Sequence, residues 1–301
     1  MPKDTRIALT GATGMVGSAL ATYLTGRGIT VVRIVRESSR VAGNDVVWDP
    51  AKGMLDARAL ENLDAVVHLA GEPIGERWNS AKKAAIQQSR VAGTSLLAKR
   101  LAEAASPPRV LVSASAIGIY GDRGDEILTE QSATGSDFLA SVGRDWENAA
   151  AAARTAGIRV VHPRFGIILS ASGGALAKML PPFRLGAGGK LGRGSQWWSW
   201  IALEDVLAGI SLLLENHTLD GPVNFVSPNP VMNAEFTQKL GHVLSRPTLA
   251  SVPEFALRLL FGEMADATLL ASQRVLPKRL EDAGFSFQFP DLESALRRVV
   301  G

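Results

Sequence analysis

Apolar residues in this chain gather into short runs that alternate with longer stretches of helical period. Five runs, Ile7–Thr10, Thr30–Val35, Ala65–Leu69, Val110–Ser113 and Arg159–Pro163, are nearly continuous rather than alternating, which predicts strands buried on both faces of a parallel sheet. The intervening stretches predict helices over Met15–Thr25, Ser80–Ala105 and Asp145–Thr155, stopped by Gly26 and Gly28, by Pro107 and Pro108, and by Gly157. Strand and helix in strict succession predict an α/β fold with a doubly wound parallel sheet. Past Phe165 the pattern loosens into a Gly-rich stretch ending at Trp197-Trp198-Ser199-Trp200, followed by a helix over Glu204–Glu215 and a strand near Pro222–Val226. Two further helical segments, Glu254–Phe261 and about Asp291–Val300, close the chain as a packed cap. The division expected is a sheet domain over residues 1–165, to which later segments return, and a smaller C-terminal α/β lobe with its helical cap over 166–301. Asp205 reads as a helix N-cap.

Composition narrows the chemistry. The 301 residues include no cysteine, which excludes disulfides, thiolate metal sites and a cysteine nucleophile, and suits a reducing, cytoplasmic setting. Four histidines, His68, His162, His217 and His242, show no metal-ligand spacing, so no metal is expected. His68 and His162 lie in strand motifs and read as satisfied core histidines. A net charge of +3 from 32 basic and 29 acidic residues implies no nucleic-acid partner, and no apolar run is long enough for a membrane span. The N-terminus reads as a strand, not a signal peptide. Oligomeric state is not legible from the chain.

Gly11-Ala12-Thr13-Gly14-Met15-Val16-Gly17 follows the first strand and opens the first helix. Gly11 permits a tight turn, Gly14 lets the backbone approach a pyrophosphate, and Gly17 allows close helix–strand packing, while the helix N-terminus offers free N–H groups to the anion. That pattern predicts a Rossmann dinucleotide site. At the end of the second strand, Arg36 stands where an acidic ribose ligand is expected, with Arg40 close behind. A guanidinium there suits a 2′-phosphate, so NADP(H) is favoured. In the alternative the arginines are solvated, Glu37 takes the ribose hydroxyl and the cofactor is NAD(H).

These residues, with His68-Leu69-Ala70-Gly71, Arg77-Trp78, Ser89-Arg90-Val91-Ala92-Gly93-Thr94, the run from Ser113 to Gly121, Phe138-Leu139, Trp146-Glu147, His162-Pro163-Arg164-Phe165-Gly166, Trp198-Ser199-Trp200-Ile201, Leu276–Leu280 and Ala283–Phe285, give the chain its resemblance to a known family. It resembles the extended (atypical) short-chain dehydrogenase/reductases, in the NAD-dependent epimerase/dehydratase branch that includes the SulA-type sugar-nucleotide epimerase-like proteins. The resemblance covers essentially the whole chain. It implies that Leu69, Ala70 and Gly71 pass the adenine and ribose, that Ser115 hydrogen-bonds a substrate oxygen, and that Pro163 and Arg164 flank the nicotinamide.

One departure stands out. The superfamily's Tyr-x-x-x-Lys helix exchanges a proton with substrate as hydride moves, but alignment on Glu147 puts Leu139 at the tyrosine position and Gly143 at the lysine position. Only Tyr23 and Tyr120 exist, and Tyr120, five residues after Ser115, is the one expected near a substrate. Ser115 with Tyr120 is therefore the candidate catalytic set, against the alternative that Tyr120 is a packed loop aromatic. Arg77, Trp78, Trp198 and Trp200 are candidate substrate contacts, an aromatic and cationic group suited to a planar or anionic ligand. Alternate residues of the tryptophan run should face opposite ways, so at least Trp198 or Trp200 is expected in the core. Two functions fit these residues: an NADP(H)-dependent oxidoreductase or epimerase acting on a small polar, possibly nucleotide-linked substrate, and an NADP(H)-binding protein without catalysis that regulates or holds a partner.

Overall fold

A computed structural model describes residues 4–36 and 45–300. Seven parallel strands form the central sheet: β1 (Arg6–Thr10), β2 (Thr30–Arg36), β3 (Val46–Trp48), β4 (Ala65–His68), β5 (Val110–Ser113), β6 (Arg159–Phe165) and β7 (Gly221–Phe225), in the spatial order β3-β2-β1-β4-β5-β6-β7. Ser115–Ala116 adds a short eighth strand beside β6. The order reverses at β1, which pairs with β2 on one side and β4 on the other. In an open α/β sheet the ligand crevice lies at that reversal, outside the carboxyl ends of the strands.

Among the described residues ten α-helices accompany this sheet: α1 (Met15–Thr25), α2 (Ser80–Glu103), α3 (Phe138–Asn148), α4 (Ala151–Thr155), α5 (Gly174–Arg184), α6 (Leu203–Glu215), α7 (Asn233–Leu244), α8 (Glu254–Phe261), α9 (Lys278–Asp282) and α10 (Leu292–Val300). Side chains along a strand point alternately to opposite faces. Ile7 and Leu9 of β1 therefore bury against Leu20 and Leu24 of α1 and Ile210 and Leu213 of α6, whereas Ala8 joins Leu97 and Leu101 of α2 and Ala153 of α4 on the other face. Both faces are covered, which is why the strands read as unbroken apolar runs. β7 pairs with β6, and α6 packs into the same core, although both lie well beyond residue 165.

Two local expectations are corrected. The helix expected over Asp145–Thr155 is two: α3 begins seven residues earlier, where the Asp137 side chain accepts the Ala140 N–H at 2.8 Å as an N-cap, and the chain turns at Ala149–Ala150 before α4. Asp205 is not an N-cap. It lies in the first turn of α6, fully buried, and its carboxylate accepts the backbone N–H groups of Gln288 (2.7 Å) and Phe289 (3.1 Å), pinning the C-terminal segment to α6. A separate core formed by Leu176, Phe183, Trp200, Phe236 and Leu296 holds α5, α7 and α10 together. Among the described residues no helix is long and apolar enough to cross a membrane.

Candidate cofactor and active site

The turn after β1 is built by contacts that only glycine permits. Gly11 has φ +68°, and a Cβ there would lie 2.8 Å from the Leu69 carbonyl carbon; a Cβ on Gly17 would lie 2.1 Å from the Gly11 oxygen. Thr10 locks the neighbouring turn. Its Oγ1 accepts the N–H groups of Leu69 (3.1 Å) and Ala70 (3.2 Å) and lies 2.7 Å from His68 Nδ1. With both N–H groups accepted, the Thr10 proton goes to Nδ1, so Nε2 carries the ring proton and donates it to Thr94 Oγ1 at 3.0 Å. Burial pushes His68 down to about 4, so the ring is neutral at neutral pH.

The segments after β1 and β4 are thus held side by side at the point of strand reversal. Ala12 and Gly17 are buried, Gly11, Met15 and Val16 half-buried, Thr13 and Gly14 exposed; Leu69 and Ala70 are half-buried and Gly71 exposed. No side chain caps α1 at Gly14, so its first-turn N–H groups have no side-chain partner, as an anion-binding helix end requires. Arg36 is exposed at the carboxyl end of β2, in register with Trp48. Arg40 lies outside the described residues. These residues fit a dinucleotide: glycine where the backbone must come close, an uncapped helix end, and a cation at the ribose position.

Around the ends of β5 and β6 lies a buried polar network. Arg164 meets the Glu147 carboxylate with two N–H groups, Nε to Oε1 and Nη2 to Oε2, both at 2.8 Å, and Ser115 donates to Glu147 Oε1 at 2.7 Å. Arg164 Nη1 donates to the Tyr120 oxygen at 2.9 Å, and the Tyr120 hydroxyl donates to Asn224 Oδ1 at 2.7 Å. Burial alone would raise the Glu147 carboxyl, but Arg164 and Ser115 hold it below the ordinary carboxylate range. Burial likewise raises Tyr120 against the opposing pull of Arg164. His162, lowered by burial, contacts the Ser113 carbonyl at 3.2 Å.

This geometry corrects two expectations. Tyr120 is fully buried and its hydroxyl has spent both its proton and an acceptor position inside the fold, so it is a packed aromatic without a proton to offer a substrate. The Arg164 guanidinium turns inward to Glu147 and Tyr120 and is not turned outward to a cofactor.

Next to the network lies a half-open cavity of about 180 Å³, lined among others by Ile117, Trp146, Phe165, Trp198, Ala267 and Ala271. Leu139 and Gly143, the residues at the tyrosine and lysine positions, are part of that wall. A Cβ on Gly143 would lie 2.9 Å from Ile119 Cβ, so the turn Ile117–Tyr120 occupies the space a side chain would need.

Of the expected substrate contacts the structure brings one to the cavity. Trp198 lines it while stacking edge-on against Phe236 (5.2 Å between centroids). Trp200 is fully buried in the C-terminal core with its N–H on the Asn229 carbonyl at 3.0 Å, and Trp78 packs against Phe138 with its N–H on the Ile74 carbonyl at 2.8 Å. Arg77 donates to the Leu259 and Leu260 carbonyls and clasps α8. Trp78, Trp200 and Arg77 are corrected to structural roles. The residue not singled out for a role is Arg90, whose guanidinium lines the cavity 4.9 Å from the Trp146 ring. Only its place in the Ser89–Thr94 motif marked it.

Residues 7–226 match the model of the NAD dependent epimerase/dehydratase family, and residues 252–299 match a domain of unknown function. The chain belongs to the NAD dependent epimerase/dehydratase family. Within it, the chain is 41% identical to an epimerase family protein of Mycobacterium tuberculosis over 291 residues, 96% of each chain, and 37% identical to an epimerase family protein of Bacillus subtilis, covering 98% of this chain and 97% of that one. It superposes on the crystal structure of the human epimerase family protein SDR39U1 with NADPH at a TM-score of 0.89, with 32% identity and coverage of 98% and 99%. A nucleoside-diphosphate sugar epimerase from Corynebacterium glutamicum gives a TM-score of 0.82 at 38% identity, over 99% of this chain and 59% of that one. The family assignment accounts for the strand order and for the glycine turn after β1.

Proposed function

We propose that this protein binds NADP(H) in preference to NAD(H) and acts as an oxidoreductase or epimerase on a small polar carbonyl or alcohol substrate held in the cavity between its two lobes. One observation carries the reading: the glycine turn and the Leu69–Gly71 segment meet at the strand reversal, and the cavity opens at the ends of β5 and β6 on the same side of the sheet. The NADPH in the human relative supports the choice of cofactor, as does Arg36. A bound nicotinamide supplies or accepts hydride.

The residues around it have limited proton chemistry. In this reading Ser115, buried beside the cavity-lining Ala116, gives its proton to Glu147 and keeps its oxygen as the acceptor for the proton of a bound alcohol, Glu147 taking the serine's own. Glu147, held acidic by Arg164, is a weak base, which makes that relay slow. A second reading rests on Leu139 and Gly143 in the cavity wall: the protein binds NADP(H) and a small ligand without turnover.

Titration of NADPH and NADH, followed by single-turnover NADPH oxidation across a carbonyl panel in wild type and Ser115→Ala, separates these. Tighter NADPH binding with slow, Ser115-dependent oxidation is the expected result. Equal affinity for the two cofactors overturns the cofactor assignment; NADPH binding without turnover of any substrate favours the second reading.

A further inference from the structure

We propose that Arg90 is the anchor for the carboxylate of a compact, largely apolar acid, and that the cavity beside it is shaped for such a ligand rather than for a nucleotide-linked sugar. The inference rests on the proposed substrate role of the cavity and names the class of molecule that fits it.

Arg90, on α2, lines the cavity between Gly71 and Trp146 of α3. A Cβ on Gly71 would be 3.5 Å from the guanidinium carbon, and the Trp146 ring lies on its other side. Nη1 donates to the carbonyls of Glu72 (3.0 Å) and Ile86 (3.1 Å), which fixes the plane of the group. No carboxylate pairs with it among the described residues; the Glu72 carboxylate is taken by Lys82 at 2.7 Å. Nε and Nη2 make no hydrogen bond among the described residues. A cation held in a fixed plane with two adjacent donors unspent presents the fork that matches a carboxylate. Burial draws Arg90 down to about 10, against the raising influence of Glu72, so the guanidinium stays charged at neutral pH while lacking the partner that would offset its desolvation.

The rest of the wall sets the ligand's size and polarity. Arg90 is the one charged residue in it among the described residues, and the polar hydrogens of Ser199 and Thr268 are already given to the carbonyls of Gln273 and Met264. A nucleoside diphosphate needs several cations or backbone N–H groups for its two phosphates. This wall offers one guanidinium amid Ile117, Phe165, Trp146 and Trp198, and at about 180 Å³ it is smaller than the roughly 300–1,000 Å³ of pockets for drug-sized ligands.

The test uses benzoate as the probe, its neutral isostere benzamide and UDP-glucose, titrated into the NADPH-loaded protein and read by fluorescence of the cavity tryptophans and by calorimetry. The variants are Arg90→Met and Arg90→Lys, with circular dichroism as the check on folding and NADPH affinity measured separately. Benzoate should bind wild type at least about tenfold tighter than benzamide, and that preference should vanish in Arg90→Met and partly return in Arg90→Lys, with NADPH affinity changed less than about threefold. UDP-glucose should not displace benzoate. The proposal is overturned by benzoate affinity that is undetectable in wild type or unchanged in folded Arg90→Met, by UDP-glucose binding tighter than benzoate, or by an Arg90→Met defect in NADPH affinity as large as that in benzoate. Loss of NADPH binding by wild type would instead overturn the cofactor assignment, so the two failures are distinguishable.

Discussion

Arg164 and Glu147 face each other as a two-pronged pair, both contacts at 2.8 Å, with side chains only 6% and 15% exposed. The pair joins β6 to α3 and, through Ser115 and Tyr120, ties both to the end of β5 and to Asn224 on β7. Four elements therefore share one polar core. Removing one partner leaves the other charge buried and uncompensated. Glu147→Ala should lower unfolding stability by about 3–5 kcal/mol, read from urea melts, and should cost more than Ser115→Ala, which removes only one neutral donor. A loss below that from Ser115→Ala would show that the network is not a structural unit.

Tyr120 separates packing from catalysis. Tyr120→Phe leaves the Asn224 oxygen and Arg164 Nη1 without their partner inside the fold, a loss of about 1–3 kcal/mol, whereas single-turnover NADPH oxidation should change less than Ser115→Ala changes it. The measurements are urea melts beside single-turnover traces for the two variants. A stable Tyr120→Phe protein with turnover reduced more than that of Ser115→Ala would return Tyr120 to the chemistry.

Much of the fold was legible because parallel strands buried on both faces leave unbroken apolar runs. β1, β2, β4, β5, β6 and α1 lie within two residues of their expected bounds, and α8 matches its own. The misses have local causes. α5 falls in the stretch read as loose, and it carries Pro181 and Pro182, each of which removes a backbone N–H donor from the helix. α3 was shortened because its cap, Asp137, lies before an apolar face of Leu139, Val142 and Trp146 that spans the expected boundary. The glycine turn could be read from spacing because its contacts are local in sequence or follow a strand end. Arg90 could not, since its meaning depends on Trp146 and Gly71, which only tertiary structure brings to it. Trp78 and Trp200 misled for the complementary reason: composition cannot tell a buried tryptophan from a ligand-facing one.

Arg36 sets the cofactor preference in this reading. Arg36→Ala should weaken NADPH binding by about 1.5–3 kcal/mol and leave NADH binding nearly unchanged, as read by parallel titrations. Equal losses for both cofactors would place the guanidinium away from the 2′-phosphate.

Acid should weaken the fold through His68. Its folded value of about 4 lies below the ordinary 6.5, so the unfolded chain binds the extra proton between those values, and stability is full above pH 6.5 and falls as pH drops towards 4. The slope is about 1.4 kcal/mol per pH unit across that window for one such group, and His162, lowered in the same direction by burial, steepens it. Urea midpoints at pH 7, 5.5 and 4.5 should show this fall in wild type and a shallower one in His68→Asn. Identical slopes in the two proteins would mean that His68 is not buried as a neutral ring.

The vacated lysine position makes the sharpest test of why this chain departs from its superfamily. A Cβ on Gly143 would lie 2.9 Å from Ile119 Cβ and 3.0 Å from its Cγ1, so α3 lies against the Ile117–Tyr120 turn with no room for a side chain. Gly143→Ala should therefore cost about 1–3 kcal/mol of stability by overpacking, even though alanine favours a helix by about 1 kcal/mol over glycine. If the clash with Ile119 is the cause, the two sites are coupled: Ile119→Ala alone opens a cavity, but in the Gly143→Ala background it also relieves the clash. A double-mutant cycle should then give a coupling of about 0.5–3 kcal/mol in the favourable direction. The same clash implies that Leu139→Tyr with Gly143→Lys cannot rebuild a proton-exchanging pair unless Ile119 is also cut back, so single-turnover NADPH oxidation should rise only in the triple variant. Additive stabilities in the cycle, or a rise in turnover in the double variant, would show that the missing pair is a matter of side-chain identity alone and not of a backbone brought too close to hold it.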